Sequence, residues 1–252
     1  MLSIATWNIH KGFSQFNRRM VVHELRDRLR ELDADIVFLQ EVQGRHEHHA
    51  ARHEDWPAEP QHEFLAAGVW GSHAYGRNMV YDHGHHGNAI LARYPILSSH
   101  NQDVTRLRFE KRGLLHCAVE VPKLAQPLHC VCAHLSLFGR SRRHQYDALA
   151  SFIETSVPHD APLIIAGDFN DWRGRACELL APRLGLTEAF ANGHGSRPTR
   201  SFPAALPLFR LDRIYTRGLQ VETCAVHHGR PWSTISDHAA LSARFSLLRA
   251  VP

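Results

Sequence analysis

Asp168 and Asn170 stand two residues apart at the end of an apolar run, in the stretch Ala161–Trp172 (APLIIAGDFNDW). Leu163–Ala166 is short and apolar on both faces, as a buried strand is, so that strand delivers a carboxylate and an amide to a sheet edge. If the extended backbone persists past Gly167, alternation sends both side chains off one face, where they can share a hard cation, a phosphate or an activated water. An Asx-type turn, with Asp and Asn bonding local amides, is the competing reading of the same residues. The pattern recurs along the chain, with polar groups beside apolar segments at Asn8, Glu41, His134, Asp212 and the pair Asp237 and His238. Carboxylates and amides suit a hard divalent cation, and imidazoles beside acids suit proton transfer. Strand ends gathered at one edge of a sheet pair would bring these groups together on a rigid scaffold.

The elements that must position them follow from periodicity. Strands are predicted at Leu2–Ile9 and Ile36–Leu39, the second ending in Gln40 and Glu41. Between them a helix is predicted from Arg18 to Leu32, with Val21, Val22, Leu25, Leu29 and Leu32 on one face, as a crossover between neighbouring strands requires. The segment Gln43–Gln61 reads as a surface loop, its His46, His48, His49 and His53 lacking the spacing of a structural zinc site. Short strands follow at Met79–Tyr81, Asn88–Ala92, Leu97–His100, Leu114–Val121 and Leu128–His134, separated by turn residues as in an antiparallel meander. A helix after Gly139–Arg143 runs to Val157, and another spans Ala176–Leu184. Leu186–Phe190 returns toward the core and Ser196–Leu208 reads as a loop. Strands close the chain at Leu211–Tyr215, Val221–His227 and Ala239–Phe245.

A chain of 252 residues with no linker is expected to form one domain. The 29 Lys and Arg against 25 Asp and Glu give a formal charge of +4, an excess that suits an anionic substrate without demanding a polyanion. Five cysteines, odd in number and without CxxC spacing, fit a reducing cytoplasm. No leader-like N-terminus and no membrane-length apolar run is present, so an exported or membrane-spanning protein is not expected.

The motifs TWNI (Thr6–Ile9), LQEV (Leu39–Val42), GNAIL (Gly87–Leu91), AHLS (Ala133–Ser136), AGDFN (Ala166–Asn170), LDRIY (Leu211–Tyr215) and SDH (Ser236–His238) span the chain in order. In these motifs and their order the sequence resembles the endonuclease/exonuclease/phosphatase superfamily, whose members share the DNase I-like fold. NIHKGF (Asn8–Phe13) and FNRR (Phe16–Arg19) are similar to a subgroup of small bacterial proteins. The resemblance implies a four-layered α/β sandwich, two mixed sheets packed face to face with helices outside. It also implies divalent-metal-dependent phosphoester hydrolysis, with Mg²⁺ as cofactor and Mn²⁺ as a substitute.

Phosphoester hydrolysis needs a cation on the phosphate oxygens, an activated water and help for the departing oxygen. On the resemblance, Glu41 is the first metal ligand, Asn8 its neighbour, and Asp237 completes that site. Asp212 orients His238, which serves as general base or phosphate partner. Asp168 orients or deprotonates the water, Asn170 binds the phosphate, and His134 serves the leaving group. Asn88 and Arg112 are expected to bind substrate, while Arg140, Arg142 and Arg143 are weaker candidates for phosphate contacts. Where AP endonucleases carry an acid two residues beyond the first Asn, this chain has His10, which argues against a second tightly bound metal. The expected partner is a phosphoester, whether a small molecule, a lipid headgroup or a nucleic acid, and no obligate protein partner is implied. The alternatives are a nuclease proper and a non-catalytic module that binds phosphate ligands.

Overall fold

The computed structural model describes residues 1–191 and 199–247. Its first sheet holds β1 (Leu2–Asn8), β2 (Ile36–His46), β3 (Ser72–Tyr81), β4 (Gly84–Ala92), β11 (Leu219–His227) and β12 (Ala240–Leu247). The second holds β5 (Ile96–Asp103), β6 (Gly113–Val119), β7 (Leu128–His134), β8 (Leu163–Asp168), β9 (Thr187–Glu188) and β10 (Asp212–Arg217). Strand order is β11-β12-β1-β2-β4-β3 in one and β5-β6-β7-β8-β10-β9 in the other. Each sheet is mixed, because each contains one parallel pair, β1 with β2 and β7 with β8. Parallel neighbours need a crossover, supplied by the helices α1 (Val22–Glu31) and α4 (Gly139–Ser156).

Three apolar layers hold this four-layered α/β sandwich together. The middle one joins the sheets, with Leu2, Ile4, Ile36, Phe38, Ile164 and Ile214 among its fully buried members. The second packs α1 and α3 (Gln61–Ala66) on the first sheet through Val22, Leu25, Leu29, Phe64 and Leu65. The third packs α4 and α5 (Arg175–Leu184) on the second sheet through Leu149, Ile153 and Leu180. Cys117, Cys130 and Cys132 are free thiols within the inter-sheet layer, packed as small apolar side chains.

Several expectations need correction. The predicted helix start at Arg18 moves to Val22, because Phe16 and Asn17 adopt left-handed backbone and Phe13 bridges back to Met20. The predicted loop Gln43–Gln61 is largely ordered. β2 continues to His46, and α2 (Glu47–Arg52) follows, capped where the His46 ring accepts the His49 N–H at 3.1 Å. Its histidines pack as aromatic rings, His46 on His49 with centroids 3.7 Å apart and His49 on Phe13 at 4.7 Å, which sequence spacing does not convey. The single meander divides between the two sheets, since β3 and β4 belong to the first and β5 opens the second. Of the loop predicted at Ser196–Leu208, residues 196–198 lie outside the described residues, and Phe202 bridges Phe209 within the remainder. The strand predicted at Met79–Tyr81 begins earlier, at Ser72, the helix predicted after Gly139–Arg143 includes that stretch, and α3 lies outside every predicted element, while the other elements agree to within a few residues at their ends.

Gly167, beside Asp168 in β8, shows how tightly the site is seated. It has φ +145°, and a Cβ there would lie 1.9 Å from the Ala133 carbonyl oxygen of β7. Backbone cannot yield as a flexible side chain does. We therefore expect Gly167→Ala to cost about 3 kcal/mol or more in denaturant unfolding.

Candidate active site

The inward-facing rows of the sandwich change character along their length. Residues 2, 4, 6 and 8 of β1 run from Leu through Ile and Thr to Asn, and residues 164, 166 and 168 of β8 run from Ile through Ala to Asp. β7 behaves alike, from Cys130 through Cys132 to His134, and β10 places Asp212 beyond Ile214. Period-two alternation therefore carries apolar packing through the middle of the sandwich and polar groups to one end. Strand register aligns those ends. Asp168 pairs with His134 on one side and with Asp212 on the other.

Asp168 is the hub of the cluster. Its Oδ2 accepts the Asn8 amide at 3.1 Å and lies 3.6 Å from His134 Nε2 and 3.8 Å from His238 Nε2. Its other oxygen, Oδ1, accepts the backbone N–H of Asn170 at 2.9 Å. Asn170 has φ +49°, so extended backbone does not persist past Gly167, and the same-face argument fails. The Asx turn forms and occupies one carboxylate oxygen, while the second faces the cluster. Asn170 then donates Nδ2 to the Leu135 carbonyl at 2.9 Å.

His238 is oriented from several sides. Its Nδ1 lies 2.9 Å from Asp212 Oδ2, its backbone N–H reaches Ser236 Oγ, and its carbonyl accepts the Trp7 indole at 2.8 Å. Ser236 in turn donates to the Asn8 carbonyl at 2.7 Å, tying the last loop to the end of β1. Burial opposes charge on this imidazole, yet Asp212 and Asp168 hold it up at about 10. Asp168 is pushed up to about 7, first by burial and then by Asp212, with His238 acting against both. His134 stays well below its usual value, through burial and the nearby Arg112 guanidinium.

Glu41 reaches the site through irregular backbone. It occupies the bulge between Leu39 and Val42 with φ +57°, a conformation costly for a side chain of its kind and common where a residue is re-aimed for function. Its carboxylate meets the Asn8 amide at 3.4 Å and Lys11 Nζ at 3.7 Å. Burial alone would raise the Glu41 carboxyl, but His134, Lys11, His10 and His86 pull it down, and Lys11 is the permanent cation among them. Asp237 sits 3.5 Å from His10 Nδ1. Two expected substrate contacts are occupied by the protein itself. Asn88 donates to the Gly113 and Cys132 carbonyls, clamping the two sheets, and Arg112 reaches the Leu135 carbonyl and Glu110.

Lys11, Ser236 and Glu110 are given no role by the sequence reading, although the first two lie within its motifs. Glu110 is buried where it binds Ser136 and the Leu137 N–H, steadying the turn after His134. Among the described residues, Asp168, Asp212 and His238 are the acids and imidazole whose ligand atoms lie within 4.8 Å of one another, close enough to hold a metal ion. The short contact between His238 and Asp212 gives that group an equally direct use as a proton-handling pair.

The raised His238 value has a consequence for stability. A folded value near 10 exceeds the unfolded value of about 6.5, so its contribution is complete below pH 6.5 and is lost as pH rises through 10. We expect the melting temperature to decline across that alkaline window, and Asp212→Asn to flatten the decline. Thermal melts at stepped pH measure both.

Residues 5–238 match the model of the Endonuclease/Exonuclease/phosphatase family. Over 244 residues the chain is 47% identical to the uncharacterized protein YbhP of Escherichia coli K12, covering 97% of this chain and 96% of that one. Among solved structures, Danio rerio TDP2 complexed with single-strand DNA product superposes with TM-score 0.72 at 22% identity, covering 97% of this chain and 98% of that one. The mannosyl-6-phosphatase Bt3783 of Bacteroides thetaiotaomicron gives 0.73 at 13% identity, covering 98% and 100%. At such identities these two share the fold with this chain.

Proposed function

Because the chain belongs to the endonuclease/exonuclease/phosphatase family, we propose that it is a divalent-metal-dependent phosphoester hydrolase of the phosphodiesterase type. The observation that carries this reading is the convergence on Asp168 of Asn8, His134 and the His238–Asp212 pair, drawn from both sheets. An acid poised near neutrality is suited to take a proton from water, and Asp168 at about 7 is in that range. His238, held cationic by two carboxylates, then serves as the phosphate partner of the two roles open to it. Asn170 has a second amide proton for a phosphate oxygen, and His134, kept neutral, donates a hydrogen bond on the leaving-group side.

The residues assigned to the cation are Glu41, Asn8 and Asp237. Their donors fit a hard ion: Glu41 is an ionised carboxylate, and the buried Asp237 Oδ1 has no hydrogen-bond partner among the described residues. Bound there, Mg²⁺ or Mn²⁺ would neutralise charge on the phosphate and favour ionisation of water. The test is hydrolysis of bis-p-nitrophenyl phosphate by the purified protein with Mg²⁺ or Mn²⁺. We expect turnover that excess EDTA abolishes, and undiminished turnover in EDTA would remove the cation from the mechanism.

Among the described residues no helix is long and apolar enough to cross a membrane. The five free cysteines support a reducing, cytoplasmic setting. A nuclease remains the second reading, favoured by the single-strand DNA product in the TDP2 structure.

A further inference from the structure

Five arginines, Arg140, Arg142, Arg143, Arg173 and Arg175, line one cavity of about 740 Å³. Some arginines elsewhere pair with acids, as Arg93 does with Asp33, Arg183 with Glu154 and Arg112 with Glu110, whereas others, such as Arg26 and Arg217, make no ion pair among the described residues. None of these five makes an ion pair among the described residues, and no Asp or Glu lines the cavity. Arg142 is buried and the other four are exposed, so solvent screens their mutual repulsion, while an anion between them would be attracted by all five.

Local structure adds to the field. The cavity opens at the N-terminus of α4, an 18-residue helix with no side-chain cap and no acid in its first turn. Its leading amides and dipole therefore favour negative charge. Arg142 is buried and fixed, its guanidinium donating to the Ser136 carbonyl at 2.8 Å and the Leu137 carbonyl at 3.1 Å. Tyr146, also lining the cavity, is buried at 3% relative exposure, with the Arg142 guanidinium and Asp171 near it. Trp172, 45% exposed, supplies a flat wall against which a ring can rest.

The position of the cavity says what kind of anion it serves. Trp172 follows Asn170 by two residues, and the carbonyls that hold Arg142 lie two and three residues past His134. Three residues of chain span at most about 11 Å, so the cavity adjoins the catalytic end of β7 and β8. We propose that this cavity is a second phosphate subsite, which holds a non-reacting phosphate group carried by the same substrate whose phosphoester is cleaved at Asp168. The substrate is then a compound with at least two phosphate groups, its intervening ring or sugar lying along Trp172. This inference rests on the phosphoester-hydrolase reading for its substrate, but the anion site itself does not.

Titration calorimetry with pyrophosphate in EDTA tests the site without catalysis. We expect measurable binding to the wild-type protein, and a Kd raised at least ten-fold in both Arg140→Ala/Arg143→Ala and Arg173→Ala/Arg175→Ala, with circular dichroism unchanged. Absent binding at millimolar pyrophosphate, or an equal Kd in all three proteins, would overturn the proposal. Kinetics with Mg²⁺ tests its use: KM for a 5′-phosphorylated thymidine dinucleotide, or for a sugar bisphosphate, should rise at least ten-fold in the double variants relative to KM for bis-p-nitrophenyl phosphate. The substrate showing the larger rise identifies the source of the second phosphate, and no rise for either overturns the substrate assignment. Pyrophosphate binding that the variants abolish, in a protein that cleaves no phosphoester, supports the anion site and sinks the hydrolase reading alone.

Discussion

Asp168→Asn should fold and lose catalysis, with kcat on bis-p-nitrophenyl phosphate falling by about 10³-fold or more. The substitution keeps the size of the side chain and one oxygen for the Asn170 N–H, so the turn after β8 survives. What disappears is the proton acceptor, together with the negative charge that faces His238 at 3.8 Å. One local cost is expected as well. The new amide sets a donor against the Asn8 Nδ2 donor that Oδ2 now accepts, a loss of about 1–3 kcal/mol for a buried group. A lower melting temperature with native near-ultraviolet dichroism and vanished turnover is therefore the expected result. Turnover within ten-fold of the wild type would remove Asp168 from the role of base.

Glu41→Gly separates function from stability more sharply. The native Glu41 holds φ +57° in a bulge, a conformation glycine adopts without penalty. Relief of that strain, of order 1–3 kcal/mol, is offset in part by the greater chain entropy of glycine and by loss of the Lys11 contact. The melting temperature is thus expected to hold or rise. Activity at physiological Mg²⁺ should fall at least about 100-fold, and the Mg²⁺ concentration for half-maximal rate should climb, because the carboxylate assigned to the cation is gone. A variant that is both stable and fully active at low Mg²⁺ would move the cation site away from Glu41.

Much of this was written locally in the sequence. Leu163–Ala166 followed by Gly167 and Asp168 announces a buried strand with a polar end, because a two-faced apolar run has nowhere else to go. Period-two rows in β1, β7 and β10 end the same way, so the polar edge could be read one strand at a time. Three things resisted that reading for physical reasons. The bulge at Glu41 depends on pairing with β4, a partner more than forty residues away, so the true length of β2 is a tertiary property. The segment after His46 folds because imidazoles stack on Phe13 and Trp56, while in one dimension they look like scattered polar residues. Asn88 and Arg112 carry hydrogen-bonding groups that any reading would offer to a substrate, yet the nearest acceptors are the protein's own carbonyls.

The order of strands has a bearing on how a newly made chain assembles the candidate site. The second sheet is drawn from one continuous stretch, β5 through β10, whereas the first is begun by β1–β4 and completed by β11 and β12. Chains emerge from the ribosome N-terminus first, so Asn8, Glu41, His134, Asp168 and Asp212 are all available while β1 still lacks its neighbour β12. His238 arrives just ahead of that final strand, and its seat under the Trp7 indole exists only once the strand docks. Until β12 docks, the candidate site therefore holds its acids and amides without the seat that fixes His238.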